Sequence, residues 1–80
     1  NLKYPAKARK KGAEGKAVIR FYVDIDGSVK NPEIIKDEVG FGCAEEAIRV
    51  INLMPKWKPG NYRGKNVKVY YTLPITFRLA

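Results

Sequence analysis

The 80 residues contain no histidine and one cysteine. Without histidine the chain lacks the commonest general base at neutral pH. Its single serine, Ser28, falls in a turn signal with no base near it in sequence, so no catalysis is expected. One cysteine, Cys43, cannot form an intrachain disulfide. No apolar run approaches the length of a membrane span, and no stretch of these 80 residues reads as a signal peptide; any anchor or targeting segment is expected upstream of residue 1. Repeats, low-complexity stretches and linkers are absent as well. Acidic residues are scarce beside basic ones, 8 against 16, giving a net charge of +8. That excess favours acidic partners, whether phosphates, carboxylate-rich proteins or anionic membrane surfaces, without choosing among them.

What remains is the composition of one ordinary folded domain spanning residues 1–80, 45% apolar and 30% charged. A chain this short buries only ~60% of its extended surface, so its core is thin and each large apolar residue matters. "YPAKARKKG" suits a short helix, with Pro5 at its first position and Gly12 ending it. "KAVIRFYVDIDGSV" is the clearest strand. Ala17, Ile19, Phe21, Val23 and Ile25 face one way, and Val18, Arg20, Tyr22 and Asp24 the other. Asp26-Gly27 signals a two-residue turn with positive φ at both positions. A second strand follows from Ser28 to about Asp37. Asn31-Pro32 interrupts it, which predicts a bulge or a sheet edge. A helix is expected from about Cys43 to Met54, with Ala44, Ala47, Ile48, Ile51 and Met54 in one stripe and Pro55 ending it. Trp57, Pro59 and Gly60 then turn the chain into a last strand from Val67 to Leu79, apolar at every second residue.

The order is helix, strand, strand, helix, strand. It predicts an α+β fold: a three-stranded antiparallel sheet with two helices packed on one face. The first strand has no proline and should be central, with the second and last strands flanking it. The last strand is then an edge, and Pro74 lies within it. Proline cannot donate a ladder hydrogen bond, so it is tolerated where its missing donor faces outward. Backbone groups alternate sides along a strand. Lys68, Tyr70, Thr72 and Thr76 should therefore face the free flank with Pro74, and the odd residues should pair inward. Such an edge is either a docking line for an extended peptide or one that Pro74, Lys65 and Lys68 merely protect from aggregation.

Three stretches of the chain are similar to a known family. "YPAKARKKGAEGKAVIRFYVDIDGSV" resembles the opening of the TonB C-terminal domain family, with its Tyr-Pro, short helix, Gly-x-x-Gly, alternating strand and Asp-Gly turn. "CAEEAIRVINLMPKWKPG" resembles that family's second helix and Trp-x-Pro-Gly turn, and "GKNVKVYYTLPITF" its final strand. The resemblance implies a periplasmic domain of a bacterial energy transducer. An inner-membrane helix and a proline-rich spacer would lie upstream of residue 1, and ExbB and ExbD would be engaged through that part. The implied partners of the domain itself are outer-membrane transporters of iron chelates such as siderophores, of vitamins or of glycans, gripped by β-augmentation with a transporter segment, the TonB box. Carried onto this chain, the box-binding strand is Asn66 to Leu73, with Asn66, Lys68, Tyr70 and Thr72 as the edge residues. A receptor contact falls on Asn1, Leu2 and Lys3. Similar domains also occur in membrane peptidase-type sensors and could serve as adaptors, which is the alternative role.

Asp24-x-Asp26-Gly27 resembles the start of a calcium loop, but Ile35 stands where the loop needs its glutamate, so no metal site is expected, and no cofactor. Cys43 at a helix start is read as a small semi-buried residue rather than an activated thiol. Trp57 is read as a plug between helix and sheet. Tyr22, Tyr70 and Tyr71 lack the glycine- and aromatic-rich strand motif of RNA-binding sheets, so nucleic acid is not an expected partner.

Overall fold

The computed structural model describes residues 2–79. Seven elements follow one another: α1 (Ala6–Lys11), β1 (Gly15–Val23), β2 (Val29–Asp37), α2 (Cys43–Leu53), β3 (Gly60–Tyr62), β4 (Lys65–Val67) and β5 (Val69–Phe77). β2, β1 and β5 form one antiparallel sheet in that spatial order. The α+β architecture with two helices is therefore as expected. The added feature is a two-stranded ribbon of β3 and β4 ahead of the last strand.

Local chemistry sets the boundaries. Pro5 sits just outside α1 with ψ 136, one position earlier than expected, because its extended backbone leads into the helix without joining it. Gly12 closes α1 with φ 66, and Ala13 donates to the carbonyl of Ala8 at 2.9 Å. α2 ends where Pro55 forces Met54 into an extended conformation with ψ 145. Met54 consequently leaves the expected stripe and is exposed, while Cys43, Ala44, Ala47 and Ile51 are buried.

The β1–β2 turn differs from expectation. Gly27 has φ 87, but Asp26 is not among the positive-φ residues. The Asp26 carboxylate instead accepts bonds from the Ser28 amide at 3.0 Å and the Ser28 hydroxyl at 2.6 Å. This side-chain turn, closed by Gly27 N–H to Asp24 O and Asp24 N–H to Ser28 O, makes the loop three residues long. β1 therefore stops at Val23, and Ile25 is exposed in the turn. Glycine is needed at 27 for a second reason: a Cβ there would lie 2.4 Å from the carbonyl of Trp57.

The helices cover one sheet face. Ala17, Ile19, Phe21 and Val23 of β1 and Phe77 of β5 are buried beneath them. Near α1, Ala8 packs with Ala17, Cys43, Ala44 and Phe77. Under α2, Ile19, Phe21, Val23, Ala47 and Ile51 form a second cluster, with Trp57 and Leu73 at its margin. Trp57 is half-buried and meets Phe21 edge-on, ring centres 5.3 Å apart, so it partly fills the plugging role. Burying a side chain such as Phe21 or Phe77 stabilises the fold by roughly 2–3 kcal/mol, which explains why so few large residues suffice.

Val69 is the last β5 residue paired with β1, opposite Val23. β3 and β4 lie beyond that point, and the molecule is 49 Å long against 20 Å across. The ribbon turns at Arg63 (φ 53) and Gly64 (φ 81), the two positive values that a tight primed turn requires.

Candidate functional site

β2 and β5 are the two edges of the sheet. The direction of the β5 backbone follows from its neighbour. Lys16 accepts from Glu38 N–H on the β2 side at 2.9 Å, and Asp24, just past β1, donates to Ser28 on the same side at 2.9 Å. Even positions of β1 thus turn toward β2, and its odd positions toward β5. β1 and β5 pair without a break from Gly15 opposite Phe77 to Val23 opposite Val69. The odd residues of β5 are therefore the inward partners. Tyr70, Thr72, Pro74 and Thr76 direct their backbone groups to the free flank. Pro74, opposite Val18, leaves no inner bond unmade, because the position of its missing donor faces solvent.

The four expected edge residues do not share one strand. Tyr70 and Thr72 lie on β5 and are exposed. Lys68 is the joint between β4 and β5. Asn66 lies on β4, where its side-chain amide donates to the carbonyl of Ile25 at 3.1 Å. Counting by twos from Tyr70, Lys68 and Asn66 fall on the same flank. The tight turn supports this for Asn66: it bonds Tyr62 to Lys65 and so turns the intervening position away from β3.

Side chains on the helix-free face give the edge its surroundings. Tyr22 and Tyr70 are 5.4 Å apart, and the Lys68 ammonium stands 4.6 Å from the Tyr22 ring and 5.8 Å from that of Tyr70. Arg20 pairs with Glu33 across β1 and β2. The face is exposed or half-exposed throughout, as an antiparallel sheet allows.

Leu2 and Lys3, expected to touch a receptor, lie away from this edge. Asn1 is outside the described residues. Leu2 is exposed, and the Lys3 amide donates to Glu46 Oε2 at 2.7 Å. Arg49 grips the same carboxylate at 2.7 and 2.8 Å. The Arg49 hydrogen bonds, then the Lys3 amide, hold the Glu46 carboxyl at about 2. Tyr4 donates its hydroxyl to Ala13 O and sets its ring edge-on to Phe77. Lys3 and Tyr4 therefore lie toward the Phe77 end of β5, and the structure does not bring Lys3 to Asn66 and Lys68.

Two other sequence candidates have structural occupations. The Asp24 and Asp26 carboxylates hold the turn backbone. Cys43 is fully buried, and burial, followed by the charges of Asp37, Glu45 and Glu46, pushes its thiol up, away from the reactive thiolate. Sequence reasoning missed the β3–β4 ribbon. Its available signal was Arg63-Gly64 between Tyr62 and Lys65.

A family model described as Gram-negative bacterial TonB protein C-terminal matches residues 1–79. Among curated proteins none matches the chain. Two solution structures of the Helicobacter pylori TonB C-terminal domain share the fold. For the one covering residues 179–285 of that protein, the TM-score is 0.74 at 25% identity, over 99% of this chain and 70% of that one. For the one covering residues 194–285, it is 0.70 at 26% identity, over 95% and 78%.

Proposed function

The chain belongs to the family of Gram-negative bacterial TonB C-terminal domains, and from that premise we propose that it is the receptor-gripping domain of a TonB-type energy transducer. It acts as a binding module and not an enzyme. An outer-membrane transporter offers an extended segment, the TonB box, which adds to the sheet as a fourth strand along β5. Tyr70 and Thr72 supply backbone donors and acceptors, Lys68 and Asn66 continue the line, and Leu2 and Lys3 touch the receptor separately. An inner-membrane helix upstream anchors the transducer, and ExbB and ExbD work through that part. Tension along the added strand loads its hydrogen bonds together in shear, so a short pairing can transmit a pull before it parts.

One observation carries the reading. β5 is regular over nine paired residues, yet its one proline is placed so that only the outward line of donors is interrupted. Outward backbone groups from Tyr70 to Thr72 remain open to a partner, which is what β-augmentation needs.

The test is an NMR titration with peptides from the N-termini of outer-membrane transporters. Amide shifts concentrated at Lys68, Tyr70 and Thr72, with β2 unmoved, are expected. Shifts confined to β2 or to α1 would reject this edge as the docking line.

A further inference from the structure

The charge of this molecule is divided along the chain. All eight aspartates and glutamates lie at or before Glu46. The part that follows, which includes both ribbon strands and β5, carries seven lysines and arginines and no carboxylate side chain. Nearly the whole net charge of +8 therefore belongs to the half that holds the open edge. The first half is close to balanced, with its carboxylates drawn into ion pairs such as Arg20–Glu33 and Lys36–Glu38.

The ribbon concentrates this imbalance where the edge runs out. β3 and β4 project past the last β1–β5 pair. Lys58 precedes the ribbon, Arg63 and Lys65 are at its turn, and Lys68 is at its base, all exposed. Among the described residues none of these four makes an ion pair. Two are held by rings instead: Arg63 stands 5.3 Å from the Tyr62 ring, and Lys68 lies over Tyr22 and Tyr70. A ring orients a cation without cancelling its charge, so these side chains stay available to a carboxylate at a reduced ordering cost.

We propose that the β3–β4 ribbon is a second docking element that captures a carboxylate-bearing stretch of the strand-donating partner, immediately beyond the residues paired with β5. This rests on the augmentation reading, since the same partner chain must continue from β5 past Lys68 onto the ribbon. The charge is local, so it favours one end of the partner segment over the other and speeds encounter.

The experiment uses three synthetic peptides: a neutral alternating Thr/Val segment, and the same segment with three glutamates added at its N-terminus or at its C-terminus. Affinities are measured for the wild type, for Arg63→Glu/Lys65→Glu, and for Lys7→Glu/Lys10→Glu, which makes the same charge change on α1. One acidic peptide should bind about fivefold tighter than the neutral one, as a few exposed ion pairs allow. The gain should vanish in the ribbon variant and at high salt, persist in the α1 variant, and leave neutral-peptide affinity unchanged in the ribbon variant. An equal gain at both ends, no gain, or a gain lost equally in both variants overturns the proposal while the edge reading stands. If no peptide shifts the Tyr70 and Thr72 amides, the edge reading fails and takes the ribbon proposal with it. Circular dichroism of each variant confirms folding, and Arg63→Gln/Lys65→Gln provides a milder substitution if the reversal unfolds the ribbon.

Discussion

The two edges of the same sheet are built on opposite plans. Along β2 the pairing with β1 shifts register twice, Asn31 holds φ 50, Pro32 follows it, and charged residues crowd the exposed surface. β5 pairs with β1 without a shift over its whole length, and its outer line is broken once, at Pro74. Bulges, proline and charge are the usual means of making an edge unfit for pairing with another chain. β2 has all three, whereas β5 has Pro74 and the lysines at its start but no bulge, and retains a usable line. If both edges were merely to be kept from aggregating, both would be expected to carry the same devices. The difference supports the proposal that β5 is kept pairable.

Proline scanning breaks or sharpens that contrast most strongly. Tyr71→Pro removes an inward donor and should destabilise the fold by about 3 kcal/mol or more, read by urea unfolding. Thr72→Pro, one residue on, removes an outward donor. It should weaken transporter-peptide binding at least about tenfold through one lost backbone bond and a clash with the added strand. Its stability loss should stay below about 1 kcal/mol. Equal unfolding by the two variants would mean that inward and outward positions have been assigned wrongly.

On the other edge, Asn31→Gly should relieve the left-handed backbone and stabilise the domain by about 0.5–1 kcal/mol. Peptide affinity should not change, and a change would bring β2 into the binding site. The smallest effect is expected at Glu46, which ties the start of the chain to α2. Its carboxyl is held at about 2, below the ordinary 4.5. The stabilisation is therefore complete above 4.5 and fades as pH falls through about 2. Glu46→Gln should lower the melting temperature by a few degrees at neutral pH, and the gap from wild type should close near pH 2. A gap independent of pH would show that the carboxylate's charge is not what holds Lys3 and Arg49.

Much of this was legible in the sequence because it rests on strong periodic signals. Alternation read from Val67 to Leu79 and along β1 identified the central and edge strands, although β5 itself runs only from Val69 to Phe77, and Pro74 at an even position gave the outward side. The stripe of Ala44, Ala47 and Ile51 located the helix that covers the odd face. What was not legible is short or depends on side-chain competition. β3 and β4 are three residues each, too brief for alternation to register. Their turn uses Arg63 at positive φ, where asparagine or glycine is the familiar signal. At the β1–β2 turn, the Asp26 carboxylate bonding to Ser28 overrode the two-residue turn that Asp-Gly suggests. The division of charge at Glu46 was visible in the sequence, but it gains meaning only when the ribbon and β5 are seen to lie on the uncompensated side.

Amide hydrogen exchange, residue by residue, with and without a transporter peptide, tests the central claim most directly. Tyr71 and Leu73 should exchange slowly in the free protein, while Tyr70 and Thr72 exchange fast and become protected only when peptide is bound. Protection of Tyr70 and Thr72 in the free protein, or unchanged exchange at saturating peptide, would contradict the account.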